Sequence, residues 1–555
     1  MRGKRLLSML IAANLLIGLS ITGCSNKTDK KTGKIKDKIV YALSTSPTGV
    51  FNPLICDTRY DVKVNDIIYD PLLIINEDGS IQPCIAESYK ISDNQKELTL
   101  NLNPKAKWHD DKPITAEDVA FTLYSMLDPN YTGGSAGELG NIIGAKSFTE
   151  GKTKSIKGIK VVNDNTITIS FEKIYSPSLN AILNLKPIPK HVWSKIPIKN
   201  WDKETKLLNN PIGSGAYKLN KFESGQYVEL EVFNNYFNGK AKTNKIILKI
   251  TNPDTLQAEF KNGNVDIANV NDMSKSEVET LKKDGFDTTT YPDYMFQYMG
   301  FNLREKKFQD KKVRQAFMYA IDRKLLVDKL LEGNGEVINT PLLPTSWAYP
   351  KDVKLNAYNY NIEKAKSLLK EAGWSDKNND GILENSKGEK FIAELKYPTG
   401  LKSREQTALI IQESLKKVGI DIKLSSMEFS TLMEQVVANH EFDLYLMGNT
   451  LSLDPNPKPF WSSKAASDKK GEQGWNIVSY KNPKVDTLLN KGLATINQDE
   501  RKEVYAEFGK ILNEDVPEAF LYVENNEIMY TAKLKEFKPS TFDEFNNIKN
   551  WYIEE

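Results

Sequence analysis

The sequence predicts an α/β fold with more than one β-sheet, because strand patterns and helix starts alternate along the whole chain. Its composition, 40% hydrophobic and 27% charged residues, is that of a globular protein. Apolar residues alternate with polar ones, or run without a break, in four segments typical of strands: 98–102, 166–171, 227–233 and 245–250.

Two helices are predicted from their N-terminal caps. Thr115 and Asp118 form a capping-box pattern before VAFTLYSML, and Asp310 can cap a helix that runs through residues 311–331. In the second helix the apolar residues of 313–321 share one face, which indicates core packing and not a cofactor site.

The N-terminus has the layout of a secretory signal peptide over residues 1–23. Three cations precede an apolar run of 16 residues, which is short for a membrane-spanning helix of about 20 residues. The run ends in Ile21-Thr22-Gly23-Cys24, which resembles a bacterial lipobox, in which Cys24 is lipidated, for example with palmitate. An uncleaved anchor is the alternative. Because several acyl chains together anchor a protein durably, we expect it on the extracytoplasmic side of the cell membrane.

Residues 24–38 are predicted to be a flexible tether, since residues 25–38 hold six lysines and only one apolar side chain, Ile35. Removal of residues 1–23 takes three cations and no acids from a formal charge of +2, which leaves −1. A protein of this charge has no electrostatic footprint for nucleic acid.

Cysteine and histidine are scarce, which excludes several chemistries. Apart from Cys24, only Cys56 and Cys84 are present; we favour two free, largely buried thiols over a disulfide. The three histidines, His109, His191 and His440, are far apart in sequence, so a zinc motif is absent and no cofactor is expected.

One short segment, LSLDPNPKPFW (451–461), suggests a binding group. Three prolines are expected to prevent a helix and to form a rigid, irregular shelf that follows the strand-like run FDLYLMG (442–448). Binding groups are often found on such loops, and the segment presents one carboxylate, Asp454.

Several blocks occur in an order that identifies a family. DPLLIINEDGSIQPCIAESYKIS, WHDDKPITAEDVAFTL, NPIGSGAYKL and MGFNLREKKFQDKKVRQAFMYAIDR are followed by segment 451–461, Trp475-Asn476 and YKNPKVDTLL. Together they resemble the extracellular solute-binding proteins of peptide ABC transporters, the oligopeptide- and dipeptide-binding family. Three positions differ from the pattern: Asp111 replaces a turn glycine, Ser214-Gly215-Ala216 replaces Thr-Gly-Pro, and Asn449 replaces a Trp, which puts ligand preference in doubt.

The resemblance implies a two-lobed, periplasmic-binding-protein-like fold of the large type II class, with a hinge between the lobes. Lobe I would comprise residues 39–70, 170–291 and 526–555, with an inserted subdomain at 71–169, and lobe II would be 292–525. The chain would cross between the lobes near Tyr291-Pro292-Asp293-Tyr294 and near Val523-Glu524-Asn525-Asn526, which permits rigid-body closure around a ligand.

The resemblance also implies the site. Peptides share a backbone and an α-amine, so strands from both lobes would pair with the backbone: Ser44, Thr45 and Ser46 from lobe I, and Leu451, Ser452 and Leu453 from lobe II. Asp454 would bind the α-ammonium; its alternative role is an Asp turn. We expect Asp454→Ala to abolish binding while the fold survives.

Four further residues are weaker candidates for contact with the ligand. Trp475 and Asn476 would supply an apolar wall and a polar partner, or else pack at an interface. Asn302 and Trp461 could equally belong to the core, and the family-matched Arg314 and Asp322 are expected to form internal ion pairs instead of ligand contacts.

Residues 376–384 (DKNNDGILE) imitate part of an EF-hand calcium loop. Asp376, Asn378 and Asp380 stand at positions 1, 3 and 5, but position 12 is Lys387 where a bidentate Glu is needed. A β-hairpin turn at Asp380-Gly381 is the favoured interpretation, with a structural metal as the weaker one.

The expected function is capture of oligopeptides by a membrane-anchored monomer that delivers them to the permease subunits of an ABC importer, without catalysis. The alternatives are a relative that carries a nickel chelate or a sugar, and an exported hydrolase. The hydrolase is disfavoured because the sequence has no zinc motif or Cys–His pair.

Overall fold

A computed structural model describes residues 34–134, 136–173, 175–472 and 474–555. The predicted signal peptide, Cys24 and most of the predicted tether lie outside these residues. The end of the tether is part of the fold, contrary to the prediction, since Lys36 N donates to Ile553 O at 3.0 Å and β-strand pairing begins at Lys38.

The described residues form nineteen strands. They are β1 (Lys38–Leu43), β2 (Leu73–Ile75), β3 (Ile81–Pro83), β4 (Ala86–Ile91), β5 (Glu97–Leu102), β6 (Ile159–Asn163), β7 (Thr166–Ser170), β8 (Tyr217–Glu223), β9 (Tyr227–Val232), β10 (Lys245–Ile250), β11 (Ile267–Asn269), β12 (Phe286–Phe301), β13 (Gly335–Val337), β14 (Ile392–Pro398), β15 (Asp421–Met427), β16 (Leu444–Thr450), β17 (Glu518–Thr531), β18 (Leu534–Lys535) and β19 (Tyr552–Ile553).

Seventeen α-helices are found among the same residues. They are α1 (Arg59–Ile68), α2 (Ala116–Met126), α3 (Ala145–Thr149), α4 (Ser176–Leu183), α5 (Lys190–Trp193), α6 (Thr205–Leu208), α7 (Leu256–Lys261), α8 (Lys275–Lys283), α9 (Lys306–Gln309), α10 (Lys311–Ala320), α11 (Arg323–Leu325), α12 (Ile362–Glu371), α13 (Lys402–Lys416), α14 (Phe429–Leu432), α15 (Lys458–Trp461), α16 (Pro483–Ala494) and α17 (Gln498–Asp515).

One mixed sheet runs through the molecule in the order β15-β14-β16-β12-β17-β11-β1-β10-β9-β8, and β13 pairs with β17. The long antiparallel pair β12 and β17 occupies its middle. A smaller antiparallel sheet, β4-β5-β7-β6, lies outside it. The four strands predicted from periodicity are confirmed as β5, β7, β9 and β10, because their inward side chains are buried at every second position.

The buried core residues divide along the chain. One large cluster and one small cluster draw their buried members from residues 39–291 and 528–553, whereas two further clusters draw theirs from 296–523. Half-buried hydrophobic side chains pack across this division, among them Ile496 and Phe542. The halves are joined by β12 and β17, which run from one core into the other.

The segment predicted as one long helix after Asp310 is helical up to Leu330, but the helix is interrupted at Ile321 and Asp322 and its last part, Leu326–Leu330, is a π-helix. Asp310 caps α10 as expected, by accepting from Lys312 N at 2.9 Å, but the helix ends at Ala320 and Ile321 is extended. Asp322 then caps a new short helix by accepting from Leu325 N at 2.9 Å. A side chain that satisfies its own backbone in this way favours a helix start over helix continuation.

The two strands expected to flank a peptide are also wrong. β1 ends at Leu43 and β16 ends at Thr450, so residues 44–46 and 451–453 follow strands without belonging to them. The proline-rich shelf is confirmed as irregular over residues 451–457, but α15 begins directly after Pro457. Proline is tolerated in a first helical turn because the N–H groups there have no helical partner.

Both cysteines of the described chain are free thiols, as favoured from the sequence. Cys84 is buried and Cys56 is half-buried, and burial raises the pKa of the Cys56 thiol to about 11. No described helix is both long and apolar enough to cross a bilayer.

Candidate functional site

A large cavity lies where the two halves of the molecule meet. Its volume is about 560 Å³, within the usual range for ligand sites. Leu54, Glu138 and Asn180 line it from one half, and Trp347 and the segment around Asp454 line it from the other. The predicted anchor Asp454, with Ser452 and Leu453, therefore faces a space large enough to hold a ligand.

Asp454 already has a partner in its own half. Its two carboxylate oxygens accept from Arg501 Nη1 at 2.7 Å and Nη2 at 2.9 Å. Arg501 extends from the first turn of α17, and its side chain is only 5% exposed. Arg501 was not predicted from the sequence, because 47 positions separate it from Asp454 and no motif connects them.

The surroundings hold Arg501 in one orientation. Its Nε donates to Gly492 O at 3.0 Å, its Nη2 donates to Tyr505 Oη at 3.2 Å, and its guanidinium lies 4.8 Å from the ring centre of Trp347. Burial lowers the pKa of Arg501, but the hydrogen bonds and attraction of Asp454 outweigh burial and raise it. The guanidinium is therefore a permanent cation behind the carboxylate.

The pairing changes how Asp454 can bind a ligand. A carboxylate has about four lone-pair positions, and the bidentate contact with Arg501 occupies two of them. The others remain for a further donor, but the pair as a whole is neutral. A cationic ligand therefore needs additional negative charge nearby.

That charge comes from Glu138, which the sequence analysis also missed. Glu138 lies in a 3₁₀ turn (Ala136–Asn141) of the opposite half and lines the same cavity. Burial raises the pKa of its carboxyl, and the charge of Asp454 raises it further. Glu138 and Asp454 therefore line the same cavity from opposite halves.

The cavity has an excess of negative charge. Among the described residues, its charged lining consists of three acids and two bases: Asp66, Glu138, Asp454, Lys186 and Arg501. Lys186 Nζ donates to Asp66 Oδ1 at 2.5 Å, so these two neutralise each other as Arg501 and Asp454 do. Glu138 remains as the one acid without a matching base, and an ammonium group would complete the balance.

The segment that carries Asp454 is held by local contacts. Ser452 Oγ donates to Asp454 O at 2.6 Å, and Tyr505 Oη donates to Pro455 O at 2.9 Å. Leu451 N donates to Tyr294 O at 2.8 Å, which ties the shelf to β12. The carboxylate is therefore presented by a preorganised loop, as the prolines predict.

The structure does not bring the predicted lobe I residues to this cavity. Ser44 lines a separate cavity of about 160 Å³ with Arg59 and Glu544. Ser46 Oγ accepts from Gly225 N at 2.9 Å, which is a structural contact within the same half. In this structure Ser44 and Asp454 therefore line different cavities, and a site shared by residues 44–46 and Asp454 stays a prediction.

Trp475 and Asn476 do not line the cavity either. Trp475 is 52% exposed and its ring centre lies 6.2 Å from that of Phe460. Asn476 is buried: its Nδ2 donates to Ser462 O and Tyr480 O, and its Oδ1 accepts from Tyr480 N. All polar atoms of this amide are used to hold a turn, so the alternative of internal packing fits Asn476.

Asn302 and Trp461 are structural as well. Asn302 Nδ2 donates to Phe442 O at 2.7 Å inside the protein. Trp461 is 2% exposed and packs edge-on against Phe520 in a core cluster. Both residues therefore match the alternative, stated from the sequence, that they belong to the core.

Arg314 and Asp322 do not contact the cavity, but they do not form the expected ion pairs. Arg314 donates to four backbone carbonyls, including Asp515 O at 2.6 Å and Val516 O at 2.9 Å. Asp322 is the helix cap described above. The guanidinium fork satisfies carbonyls at the end of α17, where a helix leaves its last acceptors unpaired.

Comparison with known proteins gives the family. The family model "Bacterial extracellular solute-binding proteins, family 5 Middle" matches residues 80–471. The chain is 31% identical over 567 aligned residues to the oligopeptide-binding protein AppA of Bacillus subtilis (strain 168), and the alignment covers 100% of both. The chain therefore belongs to family 5 of the bacterial extracellular solute-binding proteins, and the fold is the two-lobed α/β fold of that family, as predicted.

Solved structures with a similar fold support the assignment to this family. The structure of AppA from Bacillus subtilis in complex with a nonapeptide superimposes with a TM-score of 0.73 at 30% identity, covering 94% of this chain and 100% of that one. A putative peptide-binding protein AppA from Clostridium difficile gives 0.78 at 27% identity, with 93% and 100% covered. NikZ from Campylobacter jejuni in complex with Ni(L-His) gives 0.73 at 27% identity, with 93% and 99% covered.

Proposed function

We propose that this protein captures oligopeptides outside the cytoplasm and delivers them to the permease subunits of an ABC importer, without turning them over. The observation that carries the proposal is the cavity between the two halves, whose charged lining has one acid in excess. The similarity to AppA, an oligopeptide-binding protein whose structure holds a nonapeptide, supports it.

In the proposed mechanism, Asp454 and Glu138 bind the α-ammonium of the peptide from opposite sides. Arg501 fixes the orientation of Asp454, and Glu138 supplies the balancing charge. Ser452 and Leu453 are beside the anchor and offer backbone groups to the peptide main chain. The charge balance favours a cationic group, and the requirement that the main chain also lie along the shelf distinguishes a peptide N-terminus from other cations.

Isothermal titration calorimetry with one peptide in free and N-acetylated form tests the mechanism. We expect Asp454→Asn and Glu138→Gln each to weaken binding of the free peptide by at least tenfold, about 1.4 kcal/mol. The matched control is Glu507→Gln, which removes an exposed acid paired with Lys484 away from the cavity. Equal affinity for the acetylated and the free peptide would contradict the assignment of the ammonium site.

We further propose the lobe boundaries implied by the resemblance: lobe I at 39–70, 170–291 and 526–555, the inserted subdomain at 71–169, and lobe II at 292–525. The separate core clusters and the crossing of β12 and β17 support this division. Limited proteolysis with and without peptide is the test, since protection should appear at the cavity segments of both lobes.

We propose that Cys24 carries the lipid that anchors the mature monomer to the outer face of the cell membrane. The lipobox-like sequence supports this, and the family is described as extracellular. We expect wild type to sediment with membranes and Cys24→Ala to become soluble after export. Membrane association of the variant equal to that of wild type would contradict the anchor.

A nickel chelate is the second candidate ligand, because NikZ shares the fold at a TM-score of 0.73. His109, His191 and His440 do not line the cavity described here. Elemental analysis of purified protein, together with native mass spectrometry of whatever small molecule is released, separates a bound peptide from a metal chelate.

Incubation with a labelled peptide tests for hydrolysis, and we expect the peptide to be recovered intact.

A further inference from the structure

A second polar cluster lies far from the cavity lining, in the loop between α12 and β14. Asp376, Asp380 and Glu384 each offer a carboxylate oxygen, and these three oxygens lie within 4.8 Å of one another. Ser375 and Glu384 exchange backbone hydrogen bonds at 3.0 and 2.9 Å, so the ends of the loop meet as in the favoured hairpin. The hairpin alone does not explain why three acids are drawn together inside it.

An independent observation is the burial of unpartnered oxygens at the same place. Glu384 is 4% exposed; its Oε2 accepts from Lys377 N at 2.8 Å, but its Oε1 is buried and has no hydrogen-bond partner in the described part of the chain. Asp376 Oδ1 is likewise buried and has no hydrogen-bond partner among the described residues. A buried carboxylate oxygen without a donor is costly, and a cation would satisfy both at once.

The backbone wraps around these acids in an ordered way. Asp376 Oδ2 accepts from Gly381 N at 3.0 Å, and Asp380 Oδ1 accepts from Ile382 N at 3.0 Å. Asn379 and Gly381 adopt φ values of 62° and 88°, which bend the chain sharply between the acids. Each aspartate thus uses one oxygen to hold the loop, and Asp376 keeps its other oxygen free for a ligand.

One cation already contacts the cluster. The Lys390 ammonium pairs with Asp380, but the Lys390 side chain is 40% exposed and long enough to swing into solvent. Three carboxylates and one ammonium leave two formal negative charges. A divalent ion would neutralise them, whereas the lysine alone does not.

We propose that the loop Asp376–Glu384 binds a calcium ion through carboxylate oxygens of Asp376, Asp380 and Glu384, and that Lys390 is displaced when the ion binds. Calcium–oxygen distances of about 2.3–2.6 Å allow two ligands of one ion to lie up to about 5.2 Å apart, whereas magnesium, at about 2.0–2.1 Å, limits them to about 4.2 Å. The three oxygens, which all lie within 4.8 Å of one another, can therefore share one calcium ion. The proposal is independent of the proposed function.

The affinity class also follows from the sequence. Lys387 stands where an EF-hand loop has its bidentate Glu, so one strong ligand is missing. Glu384, three positions earlier, folds inward instead. We expect a dissociation constant of roughly 10⁻⁴–10⁻³ M, the class of extracellular calcium modules.

The test is calcium titration of the mature full-length protein, first freed of metal with EDTA, by calorimetry and by thermal unfolding. We expect one saturable site and a calcium-dependent rise in Tm. Asp380→Asn and Glu384→Gln should each weaken binding at least tenfold. Asp78→Asn is the matched control, because Asp78 also precedes a turn glycine and accepts from Ser80 N, but it is not part of an acidic cluster.

Lys390→Gln gives a readout that a purely structural loop would not show. Removing the competing ammonium should tighten calcium binding several-fold, although the variant lacks a salt bridge. Terbium luminescence excited through Trp374, two residues before Asp376, provides a second signal. The proposal is overturned if wild type shows no saturable calcium response, if Asp380→Asn and Glu384→Gln bind as wild type does, or if Lys390→Gln binds no tighter than wild type.

Discussion

Asp454 both lines the cavity and neutralises Arg501, and this double contact changes what its removal does. Arg501 has a side chain that is 5% exposed, so without Asp454 it becomes a buried cation with no counter-ion. Breaking a buried pair from one side costs about 3–5 kcal/mol. The expectation that the fold survives Asp454→Ala stays a prediction, and the buried Arg501 adds to it an expected loss of stability.

We predict that Asp454→Ala lowers the free energy of unfolding by about 3–5 kcal/mol, measured by urea denaturation. The double variant Asp454→Leu with Arg501→Met should recover most of the loss, because no unpaired charge remains. Glu507→Ala, which breaks an exposed pair with Lys484, serves as the control and should cost no more than about 1 kcal/mol. A loss at Asp454 as small as that at Glu507 would refute the prediction.

His109 is a neutral structural histidine. Gly213 N donates to its Nδ1 at 3.2 Å, and its Nε2 donates to Gly215 O at 3.1 Å, so it fastens the Gly213–Gly215 turn. Burial lowers its pKa from 6.5 to about 4. The unfolded chain therefore binds a proton at a higher pH than the folded protein does.

We predict that the contribution of His109 to stability is fully present above pH 6.5 and is lost as the pH falls towards 4. The loss should reach about 3 kcal/mol, since each pKa unit corresponds to about 1.4 kcal/mol. Urea denaturation at several pH values checks this, with His109→Gln as the comparison. A stability difference between wild type and variant that does not change with pH would contradict it.

The site was only partly predictable from single residues. Asp454 stands out because prolines isolate one carboxylate, and that signal is local. Arg501 and Glu138 are distant from Asp454 in sequence and come to line the same cavity only in the folded protein. Neither residue lies in a sequence motif that would predict this. Trp475 and Asn476 were predicted from their match to a family motif, but such a match does not determine the direction in which a side chain points.

At the level of elements, the sequence pattern predicted the strands whose alternating burial is visible in a short stretch of chain. β5, β7, β9 and β10 follow their periodicity because one face of each is buried. The end of α10 could not be predicted in the same way. Arg323 is drawn inward to donate to Ile338 O at 2.7 Å and Phe520 O at 2.9 Å, and these tertiary bonds accompany the break at Ile321.

Arg314 connects two elements, α10 and the end of α17. Its Nε and Nη2 donate to Asp515 O at 3.0 and 2.6 Å, and its Nη1 donates to Phe308 O at 2.6 Å. A lysine has one ammonium and cannot reach acceptors on both sides of a planar fork. Replacement of Arg314 by lysine therefore keeps the positive charge but loses hydrogen bonds to backbone carbonyls.

We predict that Arg314→Lys destabilises the protein by at least about 2 kcal/mol, because hydrogen bonds from a charged donor contribute about 1.5–3 kcal/mol each. Chemical denaturation measures the effect. Lys311→Arg, an exposed exchange on the same helix, is the control and should change little. Wild-type stability of Arg314→Lys would show that the carbonyls find other donors.

At the scale of the whole molecule, the two halves are connected by paired strands whose register shifts at two points, between Pro292 and Phe296 and between Gln297 and Tyr298. Pro292 pairs with Asn525 and Phe296 pairs with Val523, so three residues of β12 bulge opposite Glu524. The bulge coincides with both chain crossings expected from the sequence. Bulges weaken pairing locally and bend a strand, which allows rotation without breaking either core.

Both halves contact this bulge: Leu451 N of the other half donates to Tyr294 O, and Asp293 is held from the half that contains β1. Arg59 pairs with Asp293 at 3.0 Å and lies 5.0 Å from the ring centre of Tyr294, and Asn526 Nδ2 donates to Asp293 Oδ2 at 3.2 Å. Arg59 is on α1, in the half that contains β1. Rotation about the bulge therefore moves the other half, with Asp454, relative to an anchored Asp293.

We predict that saturating peptide reduces the radius of gyration in small-angle X-ray scattering and slows amide exchange around residues 293–295 and at the cavity segment 452–456. Before ligand is added, amides at the bulge should exchange faster than those of the regularly paired parts of β12, because local pairing is incomplete. Arg59→Ala should speed exchange at the bulge further while both cores stay protected, since it frees Asp293 without touching either core cluster. If peptide binds at full stoichiometry and neither the radius nor the exchange at the bulge changes, the halves do not close about this point.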